Sequence, residues 1–343
     1  MENLISNILA KSENKMQKKA ILIAIHFGKF PTWINLTVDT FARNQDFDLL
    51  VVTDQSTEKF PSYSNIKFCY YNLHTFSNLA AQKTDTQIRL KRAYKVCDLR
   101  PAFGLIFDSY IHGYEYWGHI DIDTFWGDMQ SALNKPISDK YDIICGASYH
   151  VGGPFCLYRN TEKINILFQA NPVYKYAFEA EENVDFDEIG IQINNQGFEE
   201  TVRRSEARGD IRVFRERQLY LQDMDTSWWV EQVKKAYNDS ISYPKFESGV
   251  GIWQDGKIFA STEGKEYMFY HFYDGKKRLF RPFNIKWCNQ IQDFTVGLDG
   301  IKLNYQSWLY KCLHQIENAA IKALRIIIYD LGSLRRKLGL YRN

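Results

Sequence analysis

Two aspartates separated by a single residue are the most chemically specific feature of the sequence. Asp121 and Asp123 stand at the end of the apolar, aromatic segment 115–122 (EYWGHIDI), which predicts a β-strand. Carboxylates at this spacing can reach one divalent cation, and their hard oxygen ligands suit Mg²⁺ or Mn²⁺. Such a cation would neutralise the two phosphates of a nucleoside diphosphate. The alternative is a solvated surface turn, but a buried acid pair without a cation would leave its charge uncompensated.

The segments around these acids predict a parallel sheet covered by helices. Apolar runs predict strands at residues 19–27, 47–53 and 66–71. Residues 33–44 have helical spacing, and strands that alternate with helices are typical of a parallel sheet. Ligands of such sheets bind beyond the carboxyl ends of the strands, here around residues 26–29 and at Thr53 and Asp54.

The remaining elements are predicted from the same patterns. They are an amphipathic helix at 94–110, strands at 142–146 and 267–273, and a hairpin at 252–260. Asp255 and Gly256 would form the hairpin turn. Residues 305–343 predict a long basic amphipathic helix, which either packs on the domain or lies on an anionic membrane surface.

Composition narrows the class of protein. A net charge of +2 over 343 residues gives no global attraction for nucleic acid. The six cysteines are scattered without a C-x-x-C pair, which argues against a cysteine metal site and fits a reducing compartment. The aromatic fraction of 15% suits carbohydrate binding, although a large aromatic core explains it more simply.

Location follows from the hydropathy pattern. No window reaches about 18 continuous apolar residues, so no transmembrane helix is predicted, and the N-terminal stretch is too short and polar for a signal peptide. The protein is therefore expected in the cytoplasm, either free or peripheral on the inner face of the cell membrane.

Several motifs together resemble one group of glycosyltransferases. They are KVCDLRPAFG at 95–104, GYEYWG at 113–118, DID at 121–123, GPFCLYRN at 153–160, FDE at 186–188 and HFYDGK at 271–276. This combination, over roughly residues 20 to 285, resembles the DUF6625-type family of bacterial polysaccharide-biosynthesis glycosyltransferases, and more distantly other families with the GT-A fold. Each motif alone would be unspecific.

The resemblance implies a fold and a reaction. The fold would be α/β, a single GT-A-like domain at 19–300 with a mixed, mainly parallel sheet flanked by helices. A flexible leader at 1–18 and a basic amphipathic helical segment at 301–343 would flank it. The enzyme would use Mn²⁺ or Mg²⁺ to move a sugar from a nucleotide-sugar donor, expected to be a UDP-sugar. The acceptor would be a hydroxyl of a bacterial surface polysaccharide, such as lipopolysaccharide or capsule, or of a lipid-linked glycan.

The resemblance also assigns the donor-binding residues. These are His26, Phe27, Gly28, Thr53, Asp54, Lys95, Asp98, Arg100, Asp121 and Lys276. Asp54 would accept a hydrogen bond from the base or ribose, or else cap a turn or helix. Lys95 or Arg100 would contact phosphate or sugar, unless the 95–100 charges form only an exposed helix face. Lys276 would contact the diphosphate, or lie in a solvated turn.

The metal ligands implied are Asp121, Asp123 and His271. Asp123 would be the main direct ligand, with Asp121 on the ribose or on a metal-bound water. His271 would be the third ligand, since neutral imidazole binds Mn²⁺. A partly buried strand histidine is the alternative at that position.

Asp187 and Glu188 are the catalytic candidates. An inverting transferase needs one base to take the proton of the acceptor hydroxyl. In a retaining enzyme the same acids would bind the acceptor, and a solvated acidic loop is a further alternative. Gly152, Gly153 and Arg159 are expected at the acceptor, although the glycines also fit a plain turn. An arginine cluster at 203–217 would hold an acidic acceptor or form a solvated helix face.

Three other functions compete with transfer. A metal-dependent nucleotidyltransferase would need a glycine-rich phosphate loop, and neither GxxxxGK(S/T) nor GxGxxG occurs. A non-catalytic carbohydrate-binding protein explains the aromatic residues but not the acid pair with the downstream histidine. A glycoside hydrolase needs two opposed carboxylates, whose separation a sequence does not give.

Overall fold

A computed structural model describes residues 18–215, 218–224, 227–237, 248–262, 264–277, 293–298 and 300–303. The predicted leader, except Lys18, and the predicted C-terminal helix at 305–343 lie outside these residues. None of the described helices combines the length and the apolar character that crossing a bilayer requires.

A seven-stranded sheet forms the centre of the fold. With strands numbered along the chain, it contains β1 (Ala20–His26), β2 (Phe47–Thr53), β3 (Ile66–Tyr70), β4 (Tyr116–Ile120), β6 (Ile143–Cys145), β7 (Phe155–Arg159) and β8 (Val213–Phe214). The spatial order is β3-β2-β1-β4-β7-β6-β8. Strands β3, β2, β1 and β4 run parallel, β7 is antiparallel to both of its neighbours, and β6 and β8 are parallel. The predicted α/β class with a mixed, mainly parallel sheet is confirmed.

The central strands are mainly apolar because helices cover both faces of the sheet. Every residue of β2 is buried, and so is the first part of β1. The register places His26 beside Thr53 and Ile23 beside His119. The carboxyl ends of β1, β2 and β4 therefore meet at one edge, where Phe27, Asp54 and Asp121 follow them.

Helices pack on the two faces over separate apolar clusters. The α-helices are Ile34–Ala42, Leu73–Thr84, Phe103–Ile106, Asp108–Ile111, Met129–Ser138, Glu162–Asn165, Tyr174–Glu179, Phe198–Ala207 and Ser227–Tyr237. Segments of 3₁₀ helix lie at Ala93–Ala102, Leu167–Ala170, Ile191–Ile193 and Gly275–Lys277. One cluster is built around Phe76, Phe103 and Phe107, and the other around Phe41 and Leu133.

The segment predicted as one amphipathic helix at 94–110 is broken into three pieces. A 3₁₀ stretch at Ala93–Ala102 leads into two single-turn helices, Phe103–Ile106 and Asp108–Ile111. Pro101 lies inside the 3₁₀ stretch, where its missing N–H disfavours a continuous α-helical ladder. This irregular segment presents Arg100 toward the polar edge of the sheet.

Two smaller sheets extend this edge. Strands β5 (Thr124–Trp126), β9 (Tyr220–Gln222) and β13 (Phe269–His271) form one in the order β5-β13-β9. The other is β12-β11-β10-β14-β15, built from β10 (Gly251–Gln254), β11 (Lys257–Ala260), β12 (Glu266–Tyr267), β14 (Phe294–Gly297) and β15 (Gly300–Leu303). The predicted hairpin is confirmed as β10–β11, with positive φ at Asp255 and Gly256. The strand predicted at 267–273 is divided between the two sheets, because β12 pairs with β11 and β13 pairs with β5.

Candidate functional site

The link between β4 and β5 carries both aspartates, and three other elements fix its backbone. The Asp121 N–H donates to the Pro154 carbonyl at 3.0 Å. The Thr37 hydroxyl donates to the Ile122 carbonyl at 2.7 Å, and the Phe272 N–H donates to the Asp123 carbonyl at 2.8 Å. The two carboxylates therefore project from a rigid turn at the edge of the central sheet.

His271 joins these aspartates through the pairing of β5 with β13. Its register partner is Thr124, the residue after Asp123. One ligand atom from each of Asp121, Asp123 and His271 lies within 4.8 Å of the others, and His271 Nε2 is 3.7 Å from Asp123 Oδ1. Two hard carboxylate oxygens and an imidazole nitrogen fit Mn²⁺ or Mg²⁺. These residues can hold a divalent cation.

A tight turn after His271 brings a positively charged side chain to the carboxylate of Asp123. The ammonium group of Lys276 pairs with Asp123 Oδ2. Asp223 holds this turn by accepting from the N–H groups of Tyr273 at 2.8 Å, Asp274 at 2.9 Å and Gly275 at 2.7 Å. Asp223 thus positions Lys276, a role that no motif in the sequence indicated.

Arg100 connects the aspartate pair to a second acidic group. Its guanidinium pairs with Asp121, donates to Asp187 Oδ2 at 3.0 Å and donates to the Gly153 carbonyl at 3.1 Å. Although burial opposes its charged form, these carboxylates raise the pKa of Arg100 well above its usual value. Arg100 therefore stays charged and fixes the relative positions of the two acidic groups.

Asp187 and Glu188 occupy different electrostatic environments. Burial raises the pKa of Asp187 well above its usual range, although Arg100 opposes the shift. Burial, reinforced by the charge of Asp185, raises the pKa of Glu188 to about 7. Glu188 Oε1 accepts from the Gly153 N–H at 3.1 Å. A carboxyl group that titrates near neutrality can exchange a proton with a bound ligand.

The glycine pair lets two backbone segments approach each other at this point. Gly152 and Gly153 have φ values of +85° and +66°. A Cβ atom on Gly152 would lie 2.6 Å from the carbonyl oxygen of Asp187. The close packing needs glycine here for its left-handed conformation and for its missing side chain.

Lys95 and Asp98 lie behind the site and do not line it. Their side chains are 1% and 0% exposed and form an ion pair at 2.7 Å. Asp98 also accepts from the N–H groups of Val184 at 3.0 Å and Phe186 at 2.7 Å. The structure therefore makes this pair an anchor for the segment that carries Asp187 and Glu188.

The carboxyl ends of β1 and β2 form another, partly polar part of the cavity wall. His26 and Phe27 line the cavity, and burial lowers the pKa of His26. Gly28 donates its N–H to Asp54 at 2.8 Å, which joins the ends of β1 and β2. Gly28, Thr53 and Asp54 are not among the residues that line the cavity.

Arg159 and those arginines of the 203–217 cluster that the structure describes do not line the cavity. Arg217 lies outside the described residues. Arg159 ends β7 opposite Tyr116, at the far end of β4 from Asp121, and lies 3.8 Å from Asp142. Arg203 and Arg215 both pair with the buried carboxylate of Glu199.

A cavity of about 520 Å³ encloses the assembled groups. Its lining includes several residues that sequence reasoning missed: Trp33, Tyr94, Cys97, His119, Tyr149, His150, Tyr220, Gln222, Met224 and Trp229. Two weak signals pointed to some of them, since Tyr149 and His150 lie within three residues of Gly152 and Trp229 belongs to the prominent Trp-Trp pair.

Comparison with known protein families gives one match. A model described as "Family of unknown function (DUF6625)" matches residues 22–296. The family resemblance is thereby confirmed, but polysaccharide biosynthesis is not part of that description. None of the curated proteins compared with the chain matches it.

Similar solved structures include three glycosyltransferases. Mouse xyloside xylosyltransferase 1 is 9% identical with a TM-score of 0.40, over 74% of this chain and 97% of its own. The galactosyltransferase LgtC is 9% identical with a TM-score of 0.30, over 50% and 71%. Streptococcus pneumoniae GlyE is 9% identical with a TM-score of 0.38, over 77% and 57%. Likeness at this level carries no activity over to this chain.

Proposed function

The chain belongs to DUF6625, a family of unknown function, and for this member we propose transfer of a sugar from a nucleotide-sugar donor to a glycan hydroxyl. The donor is a UDP-sugar and the reaction depends on a divalent cation. Asp121, Asp123 and His271 are the proposed metal ligands. One observation carries the proposal: these three side chains meet in the cavity that also contains Arg100, Lys276 and Glu188.

The charge of the cavity supports a metal–diphosphate ligand. Its lining contains five acidic side chains against three lysine or arginine side chains, so an anionic diphosphate needs an accompanying cation to bind there. A cation bound there would supply Lewis-acid neutralisation of the diphosphate. The volume of about 520 Å³ falls within the usual range for small-molecule sites.

The proposed roles of the protein groups follow from their positions. The oxygen of the acceptor hydroxyl forms a bond to the anomeric carbon, and the bond from that carbon to the diphosphate oxygen breaks. The electron pair of the broken bond leaves on the diphosphate, and Glu188 takes the hydroxyl proton. Lys276 contacts the diphosphate with its ammonium group, and Arg100 orients Asp121 and Asp187. This role of Glu188 corresponds to inversion at the anomeric carbon.

The decisive experiment is thermal unfolding with UDP, GDP, CDP and dTDP, each with and without Mn²⁺. A ligand at a hundred times its Kd stabilises the native state by about 2.7 kcal/mol, so binding is visible as a higher Tm. We expect a shift with UDP that requires Mn²⁺ and is lost in Asp123→Ala, whose Tm without ligand stays close to that of the wild type. A shift that persists in Asp123→Ala would refute the metal assignment.

The nucleotide panel, followed by two product assays, separates the competing functions. No shift with any nucleotide would favour a carbohydrate-binding protein. If UDP and Mn²⁺ do bind, release of UDP from a UDP-sugar identifies a transferase. Formation of pyrophosphate from UTP and a sugar 1-phosphate would instead identify a nucleotidyltransferase.

Location is proposed from the sequence. We place the protein in the cytoplasm, peripheral on the inner face of a bacterial cell membrane, where surface-polysaccharide or lipid-linked acceptors are made. Truncation after residue 304 should release the protein from anionic vesicles of phosphatidylglycerol. An unchanged vesicle-bound fraction would contradict the membrane role of residues 305–343.

A further inference from the structure

One wall of the cavity is aromatic. This aromatic wall consists of Tyr149, His150 and Trp229, with Trp228 at its outer end. The rings of Tyr149 and His150 are 4.4 Å apart, those of His150 and Trp229 are 6.4 Å apart, and those of Trp229 and Trp228 are 5.0 Å apart. Tyr149 and His150 are buried, whereas Trp228 is 53% exposed. The wall therefore runs from the interior of the cavity to solvent.

A buried ionic network holds the wall in place. Glu199 accepts from the Val151 N–H at 2.7 Å and pairs with Arg203. Arg203 also donates to the Tyr149 carbonyl at 3.3 Å, and its guanidinium carbon lies 4.4 Å from the centre of the Tyr237 ring. Arg203 thus contacts both the loop with Tyr149 and the helix Ser227–Tyr237 that carries the tryptophans. The wall is formed before any ligand binds, which lowers the entropic cost of binding.

The inner end of the wall lies beside the proposed base. Burial and the nearby charge of Glu188 raise the pKa of Tyr149, and Tyr149 also hydrogen-bonds to Tyr220. Glu188 itself accepts a hydrogen bond from the N–H of Gly153, which lies three residues after His150. A molecule lying along the wall would therefore reach Glu188 at one end and solvent at the other.

We propose that the aromatic wall is the acceptor subsite and that its ligand is a chain of at least two sugars. The ring of the reacting sugar stacks on Trp229, its free hydroxyl points to Glu188, and the next sugar contacts Trp228. This inference rests on the proposed transferase function and specifies its acceptor as an oligosaccharide.

The chemistry of the wall favours sugars over other acceptors. Indole, phenol and imidazole rings combine apolar faces with polar edges, which matches a pyranose ring with apolar C–H faces and peripheral hydroxyls. The four side chains of the wall are uncharged near neutral pH, because burial lowers the pKa of His150. A phosphorylated or acidic acceptor would need cationic groups along the wall.

The test uses an array of immobilised bacterial and mammalian oligosaccharides, probed with labelled protein saturated with UDP and Mn²⁺. We expect the wild type to bind at least one oligosaccharide. Trp229→Ala should weaken that binding about tenfold or more, with partial recovery in Trp229→Phe. Tyr176→Ala is the matched control, because Tyr176 is 63% exposed on the separate helix Tyr174–Glu179.

Two readouts keep this inference separate from the proposed function. The Mn²⁺-dependent shift in Tm with UDP should be the same in Trp229→Ala and in the wild type. Equal array binding by Trp229→Ala and wild type, or no array binding by a wild type that still binds UDP, would overturn the acceptor subsite. Loss of the UDP shift in the wild type would instead overturn the proposed transferase.

Discussion

At the scale of single residues, Asp123 has different partners at its two carboxylate oxygens. Oδ2 faces the ammonium of Lys276, and Oδ1 lies 3.7 Å from His271 Nε2. The side chain is only 7% exposed, so the interaction with Lys276 is weakly screened by water. Lys276 is therefore an internal counterion of Asp123. In the proposed function it would compete with the divalent cation until a diphosphate drew its ammonium group away.

Removal of this counterion should change metal and nucleotide affinity in opposite directions. Lys276→Met should bind Mn²⁺ about tenfold more tightly than the wild type without nucleotide, because no ammonium opposes the metal. It should bind UDP more weakly, since a phosphate contact is lost. Calorimetric titration measures both. Lys257→Met, which removes an exposed partner of Glu266, is the control, and weaker Mn²⁺ binding by Lys276→Met would contradict the competition.

Glu188 should set the pH dependence of turnover. A general base acts when deprotonated, so kcat/KM should rise as the pH passes through about 7 and then level off. Glu188→Gln should remove this rise of kcat/KM with pH, whereas Glu200→Gln, which removes a partner of Arg204, should keep it.

The free energy of unfolding should change in the opposite direction and fall as the pH rises. The folded state holds the Glu188 proton more tightly than the unfolded chain, so this residue costs stability as the pH rises from the ordinary glutamate range through about 7. Glu188→Gln should therefore be more stable than the wild type above pH 7, and equal unfolding free energies at pH 8 would contradict the raised pKa.

At the scale of elements, two irregular segments carry the polar groups, and a buried carboxylate holds each of them. Asp223 accepts three N–H groups of the turn before Lys276, and Asp98 accepts two N–H groups of the segment before Asp187. Loops without their own backbone ladder need such partners when they are buried. The precision of the site therefore depends on residues that do not line the cavity.

Asp98→Asn should destabilise the protein by about 3–5 kcal/mol, because it leaves the buried ammonium of Lys95 without its counterion. Urea unfolding measures the loss. The double variant with Lys95→Met should recover part of it, and Asp139→Asn, at the exposed pair with Lys135, should have little effect. A loss no larger than that of Asp139→Asn would show that the buried pair does not anchor the 184–188 segment.

Gly152→Ala should impair both stability and turnover. Its Cβ would lie 2.6 Å from the Asp187 carbonyl, and forcing such a contact typically costs about 1–3 kcal/mol beyond the backbone strain. The displaced segment carries Glu188, so kcat should fall as well. Gly209→Ala is the matched control, since Gly209 has φ +73° but a methyl group there would meet no atom within 4 Å. Equal losses of unfolding free energy in the two variants would argue against a steric cause.

At the scale of the whole molecule, the candidate metal centre joins two sheets. Asp121 and Asp123 follow a strand of the central sheet, whereas His271 ends a strand of the three-stranded sheet. The joining strands β5 and β13 are only three residues long. Ligands that bridge the two sheets should therefore stabilise their junction more than the centre of either sheet.

Hydrogen exchange should reveal this bridging. UDP with Mn²⁺ should slow amide exchange at residues 121–126 and 269–276, because binding to the closed state opposes local opening. Residues of β3, Ile66–Tyr70, lie at the far edge of the central sheet and should be unaffected. Asp123→Ala should abolish the effect. Slower exchange at 121–126 without any change at 269–276 would contradict a ligand held by both sheets.

The sequence by itself determined the local features of this protein. Continuous apolar runs predicted β1 and β2 because helices cover both faces of the sheet, and the Asp-Gly pair predicted the β10–β11 turn through its positive φ preference. Asp121 and Asp123 were identifiable as a pair because their spacing at a strand end is itself local. These predictions depend on residues within a few positions of each other.

Only the tertiary structure decided which distant residues share the site. Asp123 and Lys276 are 153 positions apart, and Arg100 and Asp187 are 87 apart. Such contacts depend on the path of the whole chain, which no local pattern encodes. For the same reason Lys95 and Asp98, which were predicted to bind the donor or else to form an exposed charged face, are buried as an anchor. Asp223 belongs to no recognisable motif. Local periodicity reports the faces of strands and helices, but the meeting of distant side chains depends on how those elements pack.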